Sequence, residues 1–426
     1  MNNKFAIALA VASGLLAVGC QPTTPNAETN TSPTAANNEG LKIGTLLPLT
    51  GDLATIGQQM AAAVPLLVEQ VNACGGVNGQ NVTLISQDDQ TDPVAGTTAM
   101  TKLAEVDRVA GVVGSYASSV SGAAIGVAAR NQVVLVSPGS TSPVFTERAK
   151  KGEFKGYWAR TAPPDTYQAL ALAQLAKEKG FKRVSTVVIN NDYGVGFERA
   201  FVSAFKKLGG TIVNEASPTR YDPKATTFDT ESAAAFANKP DAVVAVLYEE
   251  TGSLLLKSAY QQGVSQGIQV MLTDGVKSVG FPAKVGKSSD GKFIVSGAIG
   301  TVPGADGKAL QTLTTLWQAK KNQPPGEYVP HTWDAAALLT LAAEAAKANT
   351  GVGVQSKIRE VANAPGTEVS DVCEGLKLLK SGQDINYQGA SGNVDIDENG
   401  DVLGVYDVWT VNDDGKLEVT SQVNPQ

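Results

Sequence analysis

"RVAGVVGSYASSVSGAAIGVAARNQVVLVSPGSTSP", residues 108–143, is the stretch that decides the fold. An apolar run over 108–114 stops at the charge-free turn "SYASS", and "SVSGAAIGVAARNQ" then carries small and apolar residues at helical spacing. A second apolar run, "VVLVSPG" (133–139), ends in another serine-rich turn. Strand, helix and strand therefore follow one another, and both strands end in hydroxyl-bearing residues.

The alternation extends both ways. Upstream lie the strand "LKIGTLLPL" (41–49), a helix over 55–73 with a kink expected at Pro65, the strand "NVTLISQDD" (81–89) and a helix over 93–107. Downstream, helices over 166–180, 196–210, 227–238 and 252–263 interleave with strands over 183–190, 211–218, 241–248 and 268–275. Such alternation predicts parallel sheets covered on both faces, and the two prolines of "RTAPPD" (160–165) divide them into two α/β units. Beyond 305, alanine-rich helices are expected over 307–321 and 332–349, with another near 368–380. The tail "GNVDIDENGDVLGVYDVWTVNDDGKLEV" (392–419) predicts two hairpins, turning at "ENGD" and "NDDG".

A net charge of −7 and the lack of a dense Lys/Arg stripe exclude a nucleic-acid backbone as partner. Residues 1–20 have the layout of a secretory signal: Lys4, an apolar run from Phe5 to Val18, then Gly19-Cys20. The ending "LAVGC" resembles a bacterial lipobox, which makes Cys20 the expected lipidation site. Residues 21–40, rich in Pro, Thr, Asn and Ala, read as a flexible tether. A periplasmic location follows, with the chain held to a bacterial membrane by a lipid anchor. Disulfides persist in that compartment, so Cys74 and Cys373 are expected to bridge, two free thiols being the alternative.

Catalytic and cofactor signals are weak. "DIDENGD" matches the opening of a calcium loop through Asp395, Asp397, Asn399 and Gly400, but its twelfth position is Tyr406 where a bidentate Glu is needed. The single histidine, His331, offers a serine nucleophile no evident base, and no G-x-S-x-G occurs. Neither nucleotide-binding glycine motif appears, and the Cys and His spacings suit no metal. No enzyme, cofactor or metal is expected.

A site remains. Serines at a helix start beside free N–H groups favour an anion, and ligands of open α/β sheets lie beyond the carboxyl ends of strands. In the second unit Tyr193, Tyr248 and Asp274 also fall at strand ends, and a carboxylate among aromatic rings suits an ammonium. An anion socket facing an ammonium acceptor describes an amino-acid site; caps, turns and packing residues are the plainer reading of each residue alone.

With these segments, and with "KIGTLLPLTGDLATIG", "VNACGGVNGQNVTLISQDDQTDP", "RTAPPDTYQ" and "NDYGVGFERAF", the chain resembles the periplasmic substrate-binding proteins of the Leu/Ile/Val-binding family, which serve ATP-driven (ABC) amino-acid importers. The resemblance implies the type I periplasmic binding fold: two Rossmann-like lobes joined by three crossovers, with the ligand in the cleft between them. Lobe 1 would comprise 41–164 and 302–407, lobe 2 165–301 and 408–426, with crossovers near 162–166, 299–303 and 405–409. Cys74 and Cys373 would both lie in lobe 1. By position, Ser118 with Gly139 and Thr141 would bind the α-carboxylate, and Asp274, joined by Asp165, the ammonium. Tyr193 and Tyr248 would close from lobe 2, with Tyr328 and Tyr116 lining the side-chain pocket.

Ile56 stands where branched-chain binders place an aromatic residue, Tyr116 where they are apolar, and Asp274 where close relatives carry Glu. The expected ligand is therefore a neutral or branched-chain amino acid, with a broader neutral range at least as well supported as strict Leu/Ile/Val binding. The implied partners are a free amino acid and the permease subunits of an ABC importer, with the binding protein a monomer. The alternatives are a binder of urea, short amides or another small carboxylate, and a sensor for a signalling partner.

Overall fold

The computed structural model describes residues 39–425. The expected signal segment, Cys20 and nearly all of the tether lie outside the described residues. Among those described, no helix is long and apolar enough to cross a membrane.

The first sheet is built from β1 (Lys42–Leu47), β2 (Thr83–Asp88), β3 (Gly111–Gly114), β4 (Val134–Ser137) and β5 (Trp158–Arg160). Its strands run in the order β2-β1-β3-β4-β5, all parallel. The connections carry α1 (Ala54–Ala61), α2 (Ala63–Ala73), α3 (Pro93–Thr101), α4 (Ser118–Arg130) and α5 (Val144–Lys150). β3 and β4 are buried at every position, as strands covered on both faces must be. Asp92 starts α3 by accepting from the amides of Val94 and Ala95, with Pro93 supplying the fixed first φ.

The chain then crosses to a second lobe. There α6 (Asp165–Glu178), β6 (Arg183–Ile189), α7 (Asp192–Lys207), β7 (Thr211–Ile212), β8 (Thr219–Tyr221), α8 (Asp229–Ala235), β9 (Ala242–Val246), α9 (Glu249–Gln261), β10 (Gln269–Leu272), α10 (Phe281–Val285) and β11 (Ile299–Pro303) follow. It returns to the first lobe for α11 (Leu310–Lys321), α12 (Val329–Ala346), α13 (Gly351–Ala362), β12 (Thr367–Val369), α14 (Val372–Lys380) and β13 (Ile385–Tyr387). A third crossing delivers β14 (Tyr406–Val411) and β15 (Leu417–Val423), which extend the second sheet antiparallel to the order β15-β14-β11-β10-β9-β6-β7.

Residues 329–344 of α12 are all buried at the centre of a lobe; alanines and leucines make up half of them, and the buried Asp334 is met by the Tyr387 hydroxyl and the amides of Ala390 and Ser391. Cys74 and Cys373 form a disulfide that ties the end of α2 to α14, with Cα atoms 5.9 Å apart. Arg160, fully buried, ends β5. It donates to Asp401 Oδ1 at 2.8 Å and to the carbonyls of Ser140 and Ser142 at 3.0 Å, fixing the loop after β4.

Four local expectations need correction. The helix over 55–73 divides at Ala62 rather than kinking at Pro65, because Pro65 has no N–H to give the carbonyl of Ala61. Residues 211–218 are not one strand: pairing stops at Ile212, where Asn214 turns its amide onto the N–H and C=O of Thr186. "ENGD" is a turn without flanking strands, closed by Asp397 Oδ1 accepting from the amides of Asn399 and Asp401, and only "NDDG" makes a hairpin. Helix α13 was not anticipated; its glycine-rich opening hides the helical period, and Thr350 caps it through the Gly353 amide.

Candidate ligand-binding cleft

The carboxyl ends of both sheets face one another. Where they meet, a small cavity is lined from the first lobe by Leu53, Tyr116, Ala117, Ser118 and Gly139, and from the second by Tyr193, Tyr248, Asp274 and Gly275. A single apolar cluster runs across the boundary, joining Leu53, Ile56 and Tyr116 to Tyr193 and Tyr248, so the lobes are closed on each other. A larger hollow of about 920 Å³ beside Phe181, Asp241 and Ile294 lies at the amino ends of the second sheet, away from these groups.

On the first-lobe side the serines do not cap α4 as expected. The N-cap is Ala117, which makes no side-chain bond, and Ser118 Oγ instead accepts from the Ser142 amide at 3.3 Å. The other serines build a scaffold beneath. The Ser115 carbonyl accepts from the hydroxyls of Ser137 (2.6 Å), Ser140 (3.0 Å) and Ser121 (3.2 Å), and Ser115 Oγ donates to Asp89 at 2.5 Å. Burial lifts Asp89 to about 6 against the pull of those hydrogen bonds. Gly114, at φ +143°, lets the strand turn against the Leu46 carbonyl, where a β-carbon would lie 2.0 Å away.

On the second-lobe side the centre is Asp274, 3% exposed. Its Oδ1 accepts from Gln168 Nε2 and the Tyr193 hydroxyl, both at 2.9 Å, and its Oδ2 from the Tyr328 hydroxyl of the first lobe at 2.8 Å. Thr273 Oγ1 lies 2.7 Å from the Tyr193 oxygen, so Thr273 donates to Tyr193 and Tyr193 passes its single proton to Asp274. Even so, burial raises Asp274 above the usual carboxylate range.

Asp165 is also buried, and neither of its oxygens makes a hydrogen bond. Burial first, and then the charge of Asp274, push its pKa well up; the nearby Thr141 and Arg160 offset only part. Asp274 has three donors that favour its ionised form and Asp165 lacks any, so the upward push acts most on Asp165.

Of the residues expected at the site, Ser118, Gly139, Tyr116, Tyr193, Tyr248 and Asp274 meet at the cavity. Tyr328 reaches it through Asp274, while Asp165 and Thr141 stand behind its wall with unpaired polar atoms. Leu53, Ala117, Gly275 and Gln168 were not singled out from sequence; Gln168, one turn after Asp165 on α6, was within reach of the spacing. Among the described residues, no three His, Cys, Asp or Glu side chains group as a metal site.

A family model described as "Receptor family ligand binding region" matches residues 59–414. The chemotactic signal transduction system substrate-binding protein BasB of Halobacterium salinarum is 27% identical over 361 residues, 83% of either chain. The Leu/Ile/Val-binding protein BraC3 of Rhizobium johnstonii is 29% identical over 309 residues, 72% of this chain and 79% of its own. The crystal structure of a leucine-binding protein, LivK, from Thermotoga maritima superimposes with a TM-score of 0.75 at 24% identity, over 90% of this chain and 99% of that one. The architecture is thus that of the type I periplasmic binding proteins.

Proposed function

Since this chain belongs to the family of receptor ligand-binding regions, we propose that its cleft captures a free neutral α-amino acid and delivers it to an ABC importer. The observation that carries the reading is a buried carboxylate, Asp274, set across a closed cleft from Ser118 at the start of α4 and Gly139 in the loop after β4. The helix start and the Ser118 hydroxyl suit the ligand carboxylate; Asp274 suits the ammonium, with Asp165 beside it able to ionise as the ammonium arrives. Tyr193 and Tyr248 lie stacked, ring centroids 5.7 Å apart, and close the second-lobe wall. Binding proceeds by lobe closure, since each lobe holds only half of the contacts. No catalytic step is assigned: the family binds ligands, and the one histidine, His331, is buried, with burial lowering its pKa to about 3.

The reading includes export, lipidation at Cys20, a tether and periplasmic work as a monomer beside its permease. The likeness to a chemotactic binding protein supports a second reading, in which the same closure reports the ligand to a signalling partner. Calorimetry against the twenty amino acids, with urea, short amides and benzoate alongside, tests the ligand class. Heat from an amino acid is expected; heat only from the other compounds would overturn it. Replacing Ser118 by Ala removes a hydrogen bond to a charged group, worth roughly 1.5–3 kcal/mol, so affinity should fall about ten- to a hundredfold with the fold retained. Unchanged affinity removes Ser118 from the carboxylate site.

A further inference from the structure

The space left between the lobes limits the ligand more sharply than the class of its head group. The cavity has at most about 190 Å³ of empty space between the atoms that line it. Tyr116 takes up the volume. Its ring lies directly on Gly139, where a β-carbon would come 2.2 Å from Tyr116 Cδ2, and it meets Tyr328 edge-on at 4.9 Å. It is thereby held between the loop after β4 and the start of α12.

The polar atoms at the cavity point the same way. The hydroxyls of Tyr116 and Tyr248 are both buried, in side chains only 4% exposed, and neither makes a hydrogen bond. The neighbouring Tyr328 and Asn191 ease the burial of these phenols without completing a bond to either. A buried hydroxyl left unpaired costs roughly 1–3 kcal/mol, and a ligand side chain that pairs with it recovers that loss. An aliphatic side chain cannot.

We propose that the cleft is built for an α-amino acid with a small, hydroxyl-bearing side chain, of the size of serine or threonine, and that Tyr116 sets this limit. The inference rests on the amino-acid reading above and adds the side-chain class. Tyr116 closes the space that an isobutyl group would occupy, and it offers its hydroxyl, with that of Tyr248, to the ligand hydroxyl.

The test is calorimetric titration of serine, threonine, alanine and leucine into the wild-type protein and into Tyr116→Phe and Tyr116→Ala, with thermal melts to show that each variant is folded. Wild type should bind serine or threonine at least tenfold more tightly than leucine and several-fold more tightly than alanine. Tyr116→Phe should bring serine close to alanine and still exclude leucine. Tyr116→Ala should gain at least tenfold for leucine; if that variant does not fold, the phenylalanine variant alone decides the role of the hydroxyl. Wild type that binds leucine as tightly as serine overturns the size limit. A serine-to-alanine ratio unchanged in Tyr116→Phe overturns the hydroxyl pairing. Binding of none of the four, with heat from an unrelated compound, removes the amino-acid reading and this inference with it.

Discussion

Asp52 offers a direct measure of how much the closed lobes hold each other. It lies between β1 and α1 in the first lobe, yet Oδ1 accepts from the amides of Glu250 (2.6 Å) and Thr251 (3.0 Å), and Oδ2 from the Thr251 hydroxyl (2.7 Å). Those groups open α9 of the second lobe, whose own N-cap residue, Tyr248, makes no side-chain cap bond. The helix is therefore capped by a carboxylate from across the cleft. Replacing a capping Asp by Ala costs about 0.5–2 kcal/mol, and burial, which raises the Asp52 pKa despite the Thr251 bonds, places the net near 1 kcal/mol. The cap forms only with the lobes together, so the loss falls on the closure equilibrium, and about 1 kcal/mol becomes a roughly fivefold weaker ligand affinity. Calorimetry with the preferred amino acid should show that drop in Asp52→Ala. Asp52→Asn, an equally good cap, should stay within about twofold. If Asp52→Ala binds as wild type does while its melting temperature falls, the contact is a static brace and the closure argument fails.

Three further outcomes follow from buried charge. Removing Asp401 leaves the fully buried Arg160 guanidinium without its counter-charge, so Asp401→Ala should lose about 3–5 kcal/mol in urea unfolding; a loss under 1 kcal/mol would show that the carbonyls of Ser140 and Ser142 suffice. Asp89, lifted by burial to about 6 from an ordinary 3.8, binds its proton more tightly folded than unfolded. Its contribution is full below about pH 4 and is lost as pH rises through 6, by up to about 3 kcal/mol, and Asp89→Asn should flatten stability over that window. Burial and the charge of Asp274 push Asp165 toward its protonated form, whereas an ammonium nearby favours its ionised form. Ligand binding should therefore release protons and strengthen as pH rises through the Asp165 titration; buffer-independent binding heats in wild type, or buffer dependence surviving in Asp165→Asn, would contradict this.

The layered α/β frame was legible because its strands are short, apolar and regularly spaced, and their ends display the serines and tyrosines of the cleft. Much of the second layer was not. Asp52 sits 198 residues from the amide it caps, and Arg160 sits 241 from Asp401. No local pattern connects such pairs; only the closed topology does. The serines of "SYASS" misled for a related reason. Their composition suggested helix caps, but Ser115, Ser121, Ser137 and Ser140 satisfy one another across two loops, and Ala117 stands at the cap position. Composition shows which groups are available, not which partner wins them.

That scaffold explains how a cleft can hold two buried acids without a matching buried cation. Arg160, the buried guanidinium that eases Asp165, is spent on Asp401 and on the carbonyls of the clamp loop. Asp274 is held by neutral donors alone, two hydroxyls and an amide. Neutral donors stabilise a carboxylate without cancelling its charge, so the closed cleft keeps a negative field directed at the cavity. A ligand ammonium, or a proton on Asp165, would balance that field. The two therefore compete, and the pocket selects for a cationic head group before any side chain is sorted. Tyr328 links this to closure: its ring packs in the first lobe while its hydroxyl reaches Asp274 in the second. Separating the lobes removes one of the three donors, so the acid that recognises the ligand is fully assembled only in the closed state.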